Sequence, residues 1–357
     1  MERTAMTADR KDDHVRLAAD QQRAGGEHND FDDVTFVHHA LAGINRADVS
    51  LAARLGAIEW PAPLYINAMT GGSAKTGVIN RDLAIAARET GIPVATGSMS
   101  PYFADAGVAD TFAVMRRENP DGFLIANVNA TASVENACRA VELIEANALQ
   151  IHLNTIQEIV MPEGDRSFAA WAGRIEEIVA GVGVPVIVKE VGFGLSRETL
   201  RRLTGLGVHA ADVAGRGGTD FARIENSRRT TGDYGFLLGW GQSTAACLLD
   251  ADGAGIPVLG SGGVRNPLDV VRVLALGGAA AGASGAFLGT LLNNGVQALV
   301  DQIGTWLDQV TALLTVLGAR TPAELTRCDV LVGGDLRTFC LDRGIDTGRL
   351  ATRARTS

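Results

Sequence analysis

The stretch "GVPVIVKE" (183–190) has two near-copies in this chain, "GIPVATG" (91–97) and "GIPVLGSG" (255–262). In each, a glycine and an apolar residue lead to a proline, and a short apolar run follows. Proline costs a strand little at its first residue, and glycine suits the exit from a preceding helix. The phrase therefore marks a strand entrance and predicts a repeated unit of helix, turn and strand. Between the entrances, "VINRDLAIAARET" (78–90), "SVENACRAVELIEAN" (133–147), "FAAWAGRIEEIVAGV" (168–182) and "NPLDVVRVLALGG" (266–278) repeat their apolar residues at helical spacing. Five more apolar runs, "PLYINA" (63–68), "GFLIANVN" (122–129), "ALQIHLN" (148–154), "VHAADVAG" (208–215) and "AAAGAS" (279–284), bring the strands to eight. Strands alternating with helices imply right-handed parallel crossovers. Eight of them in 357 residues predict an α/β fold, a closed (β/α)8 TIM barrel rather than an open doubly wound sheet.

The rest of the chain is arranged around that barrel. Residues 23–33, "RAGGEHNDFDD", are glycine-rich and acidic and predict a mobile linker. The expected organisation is an N-terminal segment and linker over 1–33, the barrel over 34–290, and appended C-terminal helices over 291–357. "TPAE" at 321 predicts one helix start, with Thr321 as N-cap, Pro322 at the first helical position and Glu324 closing a capping box.

Composition excludes several classes. With 46% hydrophobic and 20% charged residues the chain can bury one large core. A net charge of −9 argues against a general electrostatic grip on nucleic acid and still allows a local basic pocket for a small anion. Cys138, Cys247, Cys328 and Cys340 stand apart, which suggests neither a zinc site nor a disulfide framework. No apolar run reaches the roughly 18 residues of a membrane span. A soluble, cytoplasmic protein with reduced thiols is expected. Barrels with appended helices often associate, so a homo-oligomer, tetramer or octamer, is expected as well.

"LQIHLNTIQE" (149–158) carries the strongest functional signal. Side chains alternate along a strand, so Gln150, His152 and Asn154 share one face and Leu149, Ile151 and Leu153 the other. A barrel interior is normally packed with apolar groups. A polar row that ends in Gln157 and Glu158 at a C-terminal strand end therefore sits where such folds place their chemistry. The other strands also run into small or glycine-rich loops on the same rim. The loops after strands seven and eight, "GSGGVRNP" (260–267) and "GASGAF" (282–287), match the usual phosphate cradle of this architecture. Lys189 stands in a strongly apolar strand, where an ammonium needs an anion, a carbonyl or an electron-rich ring. A Schiff base, a flavin contact and a pair with Glu190 are all open to it. In "RKDDHVRL" (10–17), Arg10, Lys11 and His14 form either a diphosphate grip or a solvated charged helix.

In order along the chain, "RKDDH", "NAMTGGS", "TGSMS", "ANVNA", "QIHLNTIQE", "VIVKEVGFG", "GRGGTDF", "SGGVRNPLDV" and "GASGAFL" resemble the type 2 isopentenyl diphosphate isomerases, a flavin-dependent family. The resemblance spans nearly the whole barrel. It implies an FMN-binding barrel that needs Mg²⁺ and reduced flavin, with NADPH as reductant, and that interconverts isopentenyl and dimethylallyl diphosphate without net redox change. By motif, it implies that Ala68, Met69, Thr70, Ser98, Asn127, Lys189, Thr219, Gly263, Val264, Arg265, Ala283 and Ser284 line the FMN. It implies that Arg10, Lys11, His14, His152 and Gln157 meet the substrate, that His152, Asn154 and Gln157 serve the chemistry, and that Glu158 reaches the metal. Two departures stand out: Ala214 where a hydroxyl residue is common, and "WGQST" (240–244) where W-G-I-P-T is usual.

Competing functions make different demands. An FMN-dependent 2-hydroxy acid oxidase needs a histidine base beside an arginine near the sixth strand, and His209 stands too early on that strand. An IMP dehydrogenase-like enzyme needs a nucleophilic cysteine on a glycine loop, whereas Cys247 lies in helical-looking sequence. A barrel kept only as a binding scaffold would purify colourless.

Overall fold

The computed structural model describes residues 15–18, 21 and 28–355. Strand β1 (Val34–Phe36) is followed by the hairpin β2 (Ala53–Leu55) and β3 (Ile58–Trp60). Eight parallel strands then follow: β4 (Leu64–Ile66), β5 (Val94–Ala95), β6 (Leu124–Asn129), β7 (Ala148–His152), β8 (Val186–Lys189), β9 (Ala210–Asp212), β10 (Val258–Ser261) and β11 (Ala281–Ala283). They close into a barrel in sequence order, with β11 hydrogen-bonded to β4. Each of the eight apolar runs thus supplies one barrel strand.

The strand-entrance reading has a direct structural basis. Pro93, Pro185 and Pro257 stand one residue before β5, β8 and β10, and their carbonyls accept from Ile66, Leu149 and Ala211 of the neighbouring strands. The proline gives up a donor and keeps its acceptor in the ladder. The leading glycines Gly91, Gly183 and Gly255 all have φ near +75°, being 72, 74 and 77°. Only glycine takes that left-handed turn freely.

Outward side chains of the strands, such as Leu149, Ile151, Val186 and Val188, pack under the helices in one continuous core. The N-terminal end of the barrel is closed by the β2–β3 hairpin. Leu55 and Trp60 pack on Tyr65, Ile125, Ile187 and Leu259, with the Trp60 and Tyr65 rings 5.3 Å apart. That end is sealed with apolar groups, which leaves the C-terminal rim for chemistry.

Two expectations are corrected. Residues 28–33 are not a mobile linker: Phe31 is buried, Asp30–Asp33 form a 3-10 helix, and the Asn29 amide donates to the Gly263 carbonyl at 2.9 Å. The polar composition of this stretch satisfies the barrel rim rather than water. At "TPAE" the start is as expected, with Thr321 at the N-cap position and Pro322 first, but the element is a 3-10 helix, Pro322–Arg327; the Thr321 side chain makes no cap, and the Glu324 carboxylate accepts from the Arg320 N–H.

The helix Gly285–Leu317 runs on from β11 and breaks at Gly295, whose φ of 83° and ψ of 177° are non-helical. The chain then returns: β12 (Val330–Val332) pairs antiparallel with β1. All four cysteines are free, and no helix among the described residues is long and apolar enough to cross a membrane.

Candidate active site

A layer of polar side chains fills the barrel interior just below the C-terminal rim. From β7, Gln150 is fully buried and accepts from Asn127 of β6 at 2.7 Å. Its own amide reaches Asn67, just after β4, at 3.4 Å, a bond that crosses the barrel. Asn127 turns its oxygen to His152 Nδ1 at 2.8 Å. Because the Asn127 amide nitrogen is committed to Gln150, that oxygen must accept, and the proton of His152 sits on Nδ1. The inward face predicted for "ALQIHLN" is the face observed.

Asp212, at the end of β9, is the hub of this layer. Its fully buried carboxylate accepts from Tyr65 Oη at 2.6 Å, Asn67 Nδ2 at 2.9 Å and Ser261 Oγ at 2.8 Å, with the Ala214 and Ser261 N–H groups each at 3.2 Å. Burial, then the charge of Asp212, holds the Tyr65 phenol far above its usual pKa, so it remains a donor.

Lys189 stands beside Asp212 in the β8–β9 register. Burial lowers its pKa, and the charges of Asp212 and then Glu190 oppose that shift. The expected alternative of a Lys189–Glu190 ion pair takes a different form. The ammonium donates to the main-chain carbonyl of Glu190 at 2.5 Å, while the Glu190 carboxylate accepts from the N–H groups of Val191, Gly192 and Phe193. Burial pushes Glu190 up to about 7 despite those three donors.

At the end of β7 the chain turns into the short helix Thr155–Val160. Asn154 occupies its N-cap position, yet its side chain does not cap. It donates instead to Gln157 Oε1 at 3.2 Å and Glu158 Oε1 at 2.8 Å. An N-cap asparagine ordinarily satisfies a free backbone N–H, so this one is diverted to hold the side chains of Gln157 and Glu158. Gln157 Nε2 donates to Glu225 Oε1 at 2.9 Å, and the buried Glu225 carboxylate is paired with Arg228. The amide of Gln157 is thereby oriented at both ends.

A cavity of about 330 Å³ opens on the same rim. Of the residues expected to surround a flavin, Ala68, Met69, Lys189, Thr219, Gly263, Val264, Arg265 and Ser284 line it, and Val15, Ala18 and Gln21 of the N-terminal segment close one side. Thr70, Ser98, Asn127 and Ala283 are not part of that lining. The Thr70 hydroxyl is buried without a protein partner, Ser98 meets Ser100 at 3.0 Å, and Asn127 is engaged as above. The Arg265 side chain is committed elsewhere. It donates to Asp32 and Asp269, and those two hydrogen bonds, Asp32 first, raise its pKa further. Arg10, Lys11 and His14 lie outside the described residues.

Ala214 takes a φ of 36°. Thr244, the last residue of "WGQST", accepts from the Gly215 N–H and places its hydroxyl 2.5 and 2.7 Å from the Ser261 and Gly262 carbonyls. One side chain thus ties together the loops after β9 and β10.

No family model matches the chain. Relatives are nonetheless plain. It is 70% identical over 348 residues to an isopentenyl-diphosphate delta-isomerase of Kitasatospora griseola, covering 98% of this chain and 96% of the other. It is 68% identical over 348 residues to the one of Streptomyces sp. (strain CL190), with the same coverage, and 44% identical over 347 residues to that of Listeria welshimeri, covering 96% and 97%. The chain belongs to the isopentenyl-diphosphate delta-isomerase family. Solved structures share the fold at low identity. A mandelate oxidase with its monooxide FMN adduct aligns with a TM-score of 0.63 at 16% identity, covering 89% of this chain and 92% of that one. An active chimera of (S)-mandelate dehydrogenase aligns with a TM-score of 0.61 at 18%, covering 88% and 96%.

Within this isopentenyl-diphosphate delta-isomerase family member, the demands of the competing enzymes are not met. His209 precedes β9 and accepts from the Val186 N–H at the opposite end of the barrel from the cavity. Cys247 is buried in the helix Thr244–Asp250, and burial pushes its thiol well above the usual range. Sequence reasoning missed Asp212, Ser261, Asn67 and Glu225. Asp212 was within reach, since a carboxylate inside "VHAADVAG" raises the same buried-charge question as Lys189. Glu225 gave no such signal, because "FARIENS" reads as an ordinary amphipathic helix.

Proposed function

We propose that this protein interconverts isopentenyl diphosphate and dimethylallyl diphosphate with reduced FMN and Mg²⁺ bound. The observation that carries the reading is the glycine-rimmed cavity with buried Lys189, set beside the His152–Gln157–Glu158 group on one rim. The relatives' names supply the substrate. The residues suit FMN: Gly217, Gly218, Gly262, Gly263 and Gly285 line the cavity, so main chain without side chains borders it, as a phosphate requires. Thr70 offers a buried hydroxyl still lacking a protein partner.

In this reading the backbone of Gly263, Val264, Arg265, Ala283 and Ser284 holds the FMN phosphate. Ala68, Met69, Thr70, Ser98, Asn127, Lys189 and Thr219 hold the rest. When bound, reduced FMN supplies the proton donor and acceptor at the alkene, so no side chain need be a strong acid. His152 and Asn154 orient the substrate, and Gln157 faces the alkene, where closed walls keep water from the cationic carbon. Glu158 presents an oxygen ligand at the rim. Mg²⁺ usually takes one or two carboxylates together with phosphate oxygens, which one glutamate and a substrate diphosphate provide. A homo-oligomer and a cytoplasmic setting with NADPH as reductant belong to the same proposal.

The protein is expected to purify yellow or to take up FMN, and to isomerise only after the flavin is reduced. Anaerobic assays should show no stoichiometric NADPH oxidation. Full activity in flavin-free protein, or one NADPH oxidised per turnover, would sink the reading. Arg10, Lys11 and His14 are assigned to the diphosphate. The double change Arg10→Ala with Lys11→Ala should raise KM strongly and leave the flavin spectrum unaltered; a wild-type KM would reduce this segment to a solvated helix.

A further inference from the structure

We infer that Asp212 is a positioning residue for the reaction, acting as the buried counter-ion that keeps Lys189 charged and holds Asn67 and Ser261 against the cofactor cavity. The inference rests on the flavin reading above and adds a residue to it. Asp212 does not itself line the cavity, whereas three of its neighbours, Lys189, Asn67 and Ser261, do. The carboxylate is closed off from solvent and receives three side-chain donors and two backbone N–H groups. Five donors offset the cost of burying an anion and hold a fixed negative charge inside the barrel.

Its place in the sheet indicates what the charge is for. Lys189 and Asp212 are register partners on adjacent strands, and both point into the barrel. Glu190, the other nearby carboxylate, is turned into its own loop by three backbone donors. The ammonium's direct acceptor is the Glu190 main-chain carbonyl, and Asp212 compensates its charge through space from the neighbouring strand. A charged Lys189 at the cavity wall favours whichever form of the cofactor carries more negative charge. A neutral amine does not.

The chain makes the test tractable, because its only lysines are Lys11, Lys75 and Lys189. Full-length protein labelled with ¹³C-lysine should give three resolvable ε-CH₂ signals. In flavin-free protein, Asp212→Asn should move the titration midpoint of Lys189 to lower pH and leave the other two in place. With FMN, the same variant should lose at least about tenfold more affinity for the reduced than for the oxidised cofactor, a tenfold change being what one pKa unit represents.

A double-mutant cycle covers the case in which the single variant is unstable. Lys189→Met with Asp212→Asn removes both charges, so it should fold better than either single change and show no further loss of preference for reduced FMN over Lys189→Met alone. If Asp212→Asn fails to fold and the double variant folds, the charge pairing stands. An unmoved Lys189 midpoint, simple additivity, or failure of both variants to fold overturns the inference. The NMR arm needs no cofactor, so it separates this assignment from the flavin reading: a shifted midpoint in a protein that binds no FMN would discredit only the latter.

Discussion

Gln157→Ala is expected to lower kcat by about 10²-fold at saturating Mg²⁺, the scale on which loss of a group that positions the alkene costs turnover. Gln157 is buried, with its amide nitrogen on Glu225 and its oxygen on Asn154, so its orientation is determined by the protein before substrate arrives. Truncation removes that group and leaves the Glu225–Arg228 pair in place. Flavin retention should therefore survive. Glu158→Gln separates the neighbouring role. It keeps the acceptor for the Asn154 amide and weakens a metal ligand, so the Mg²⁺ concentration for half activity should rise while turnover at excess metal recovers. Titrating both variants with Mg²⁺ at saturating isopentenyl diphosphate decides the matter. Rescue of Gln157→Ala by metal, or an unchanged requirement in Glu158→Gln, would show that the two roles are wrongly divided.

Gly262→Ala should damage both stability and cofactor retention. Gly262 has φ of 90°, and an added Cβ would stand 2.2 Å from the Gly215 carbonyl oxygen and 2.9 Å from the Thr244 hydroxyl. Left-handed backbone costs an L-residue roughly 1–2 kcal/mol, and overpacking against main chain roughly 1–3 kcal/mol more. A loss of about 3 kcal/mol should be visible as a lower denaturant midpoint. The clash falls where Thr244 ties the loop after β9 to the loop after β10, and both loops line the cavity. FMN affinity should drop with stability. Gly253→Ala is the control: its φ is 71° and nothing lies within 4 Å of an added Cβ, so it carries the backbone cost without the clash. If the two variants lose equal stability and both keep full FMN affinity, the loop contact does not shape the site.

Much of this was legible in the chain because it depends on local rules. The proline of "GVPVIVKE" restricts its own φ and removes its own donor, and the preceding glycine takes a turn that other residues resist. Neither effect needs a partner far away. The two-residue period of a strand likewise assigned Gln150 and His152 to the inner face and Leu149 and Ile151 to the outer one.

The failures have a common cause. Residues 28–33 read as solvated linker because polarity alone does not say whether the partner is water or protein; Asn29 meets Gly263 and Asp32 meets Arg265, each more than two hundred residues away in sequence. Sequence likewise gave no sign that the Arg265 guanidinium is held by Asp32 and Asp269. Glu324 had a capping partner in sequence, the Thr321 N–H, and takes the Arg320 N–H one residue before it.

By itself, then, the sequence determined the eight strands, the inward face of the one over 148–154 and the rim on which polar groups gather, since each follows from the conformational preferences of a few adjacent residues. Barrel closure decided the rest. It set Asp212 against Tyr65, 147 positions away, and Gln157 against Glu225, 68 positions away. A buried polar group must find a partner or lose several kcal/mol of solvation, and which partner it finds depends on the strand and helix brought beside it.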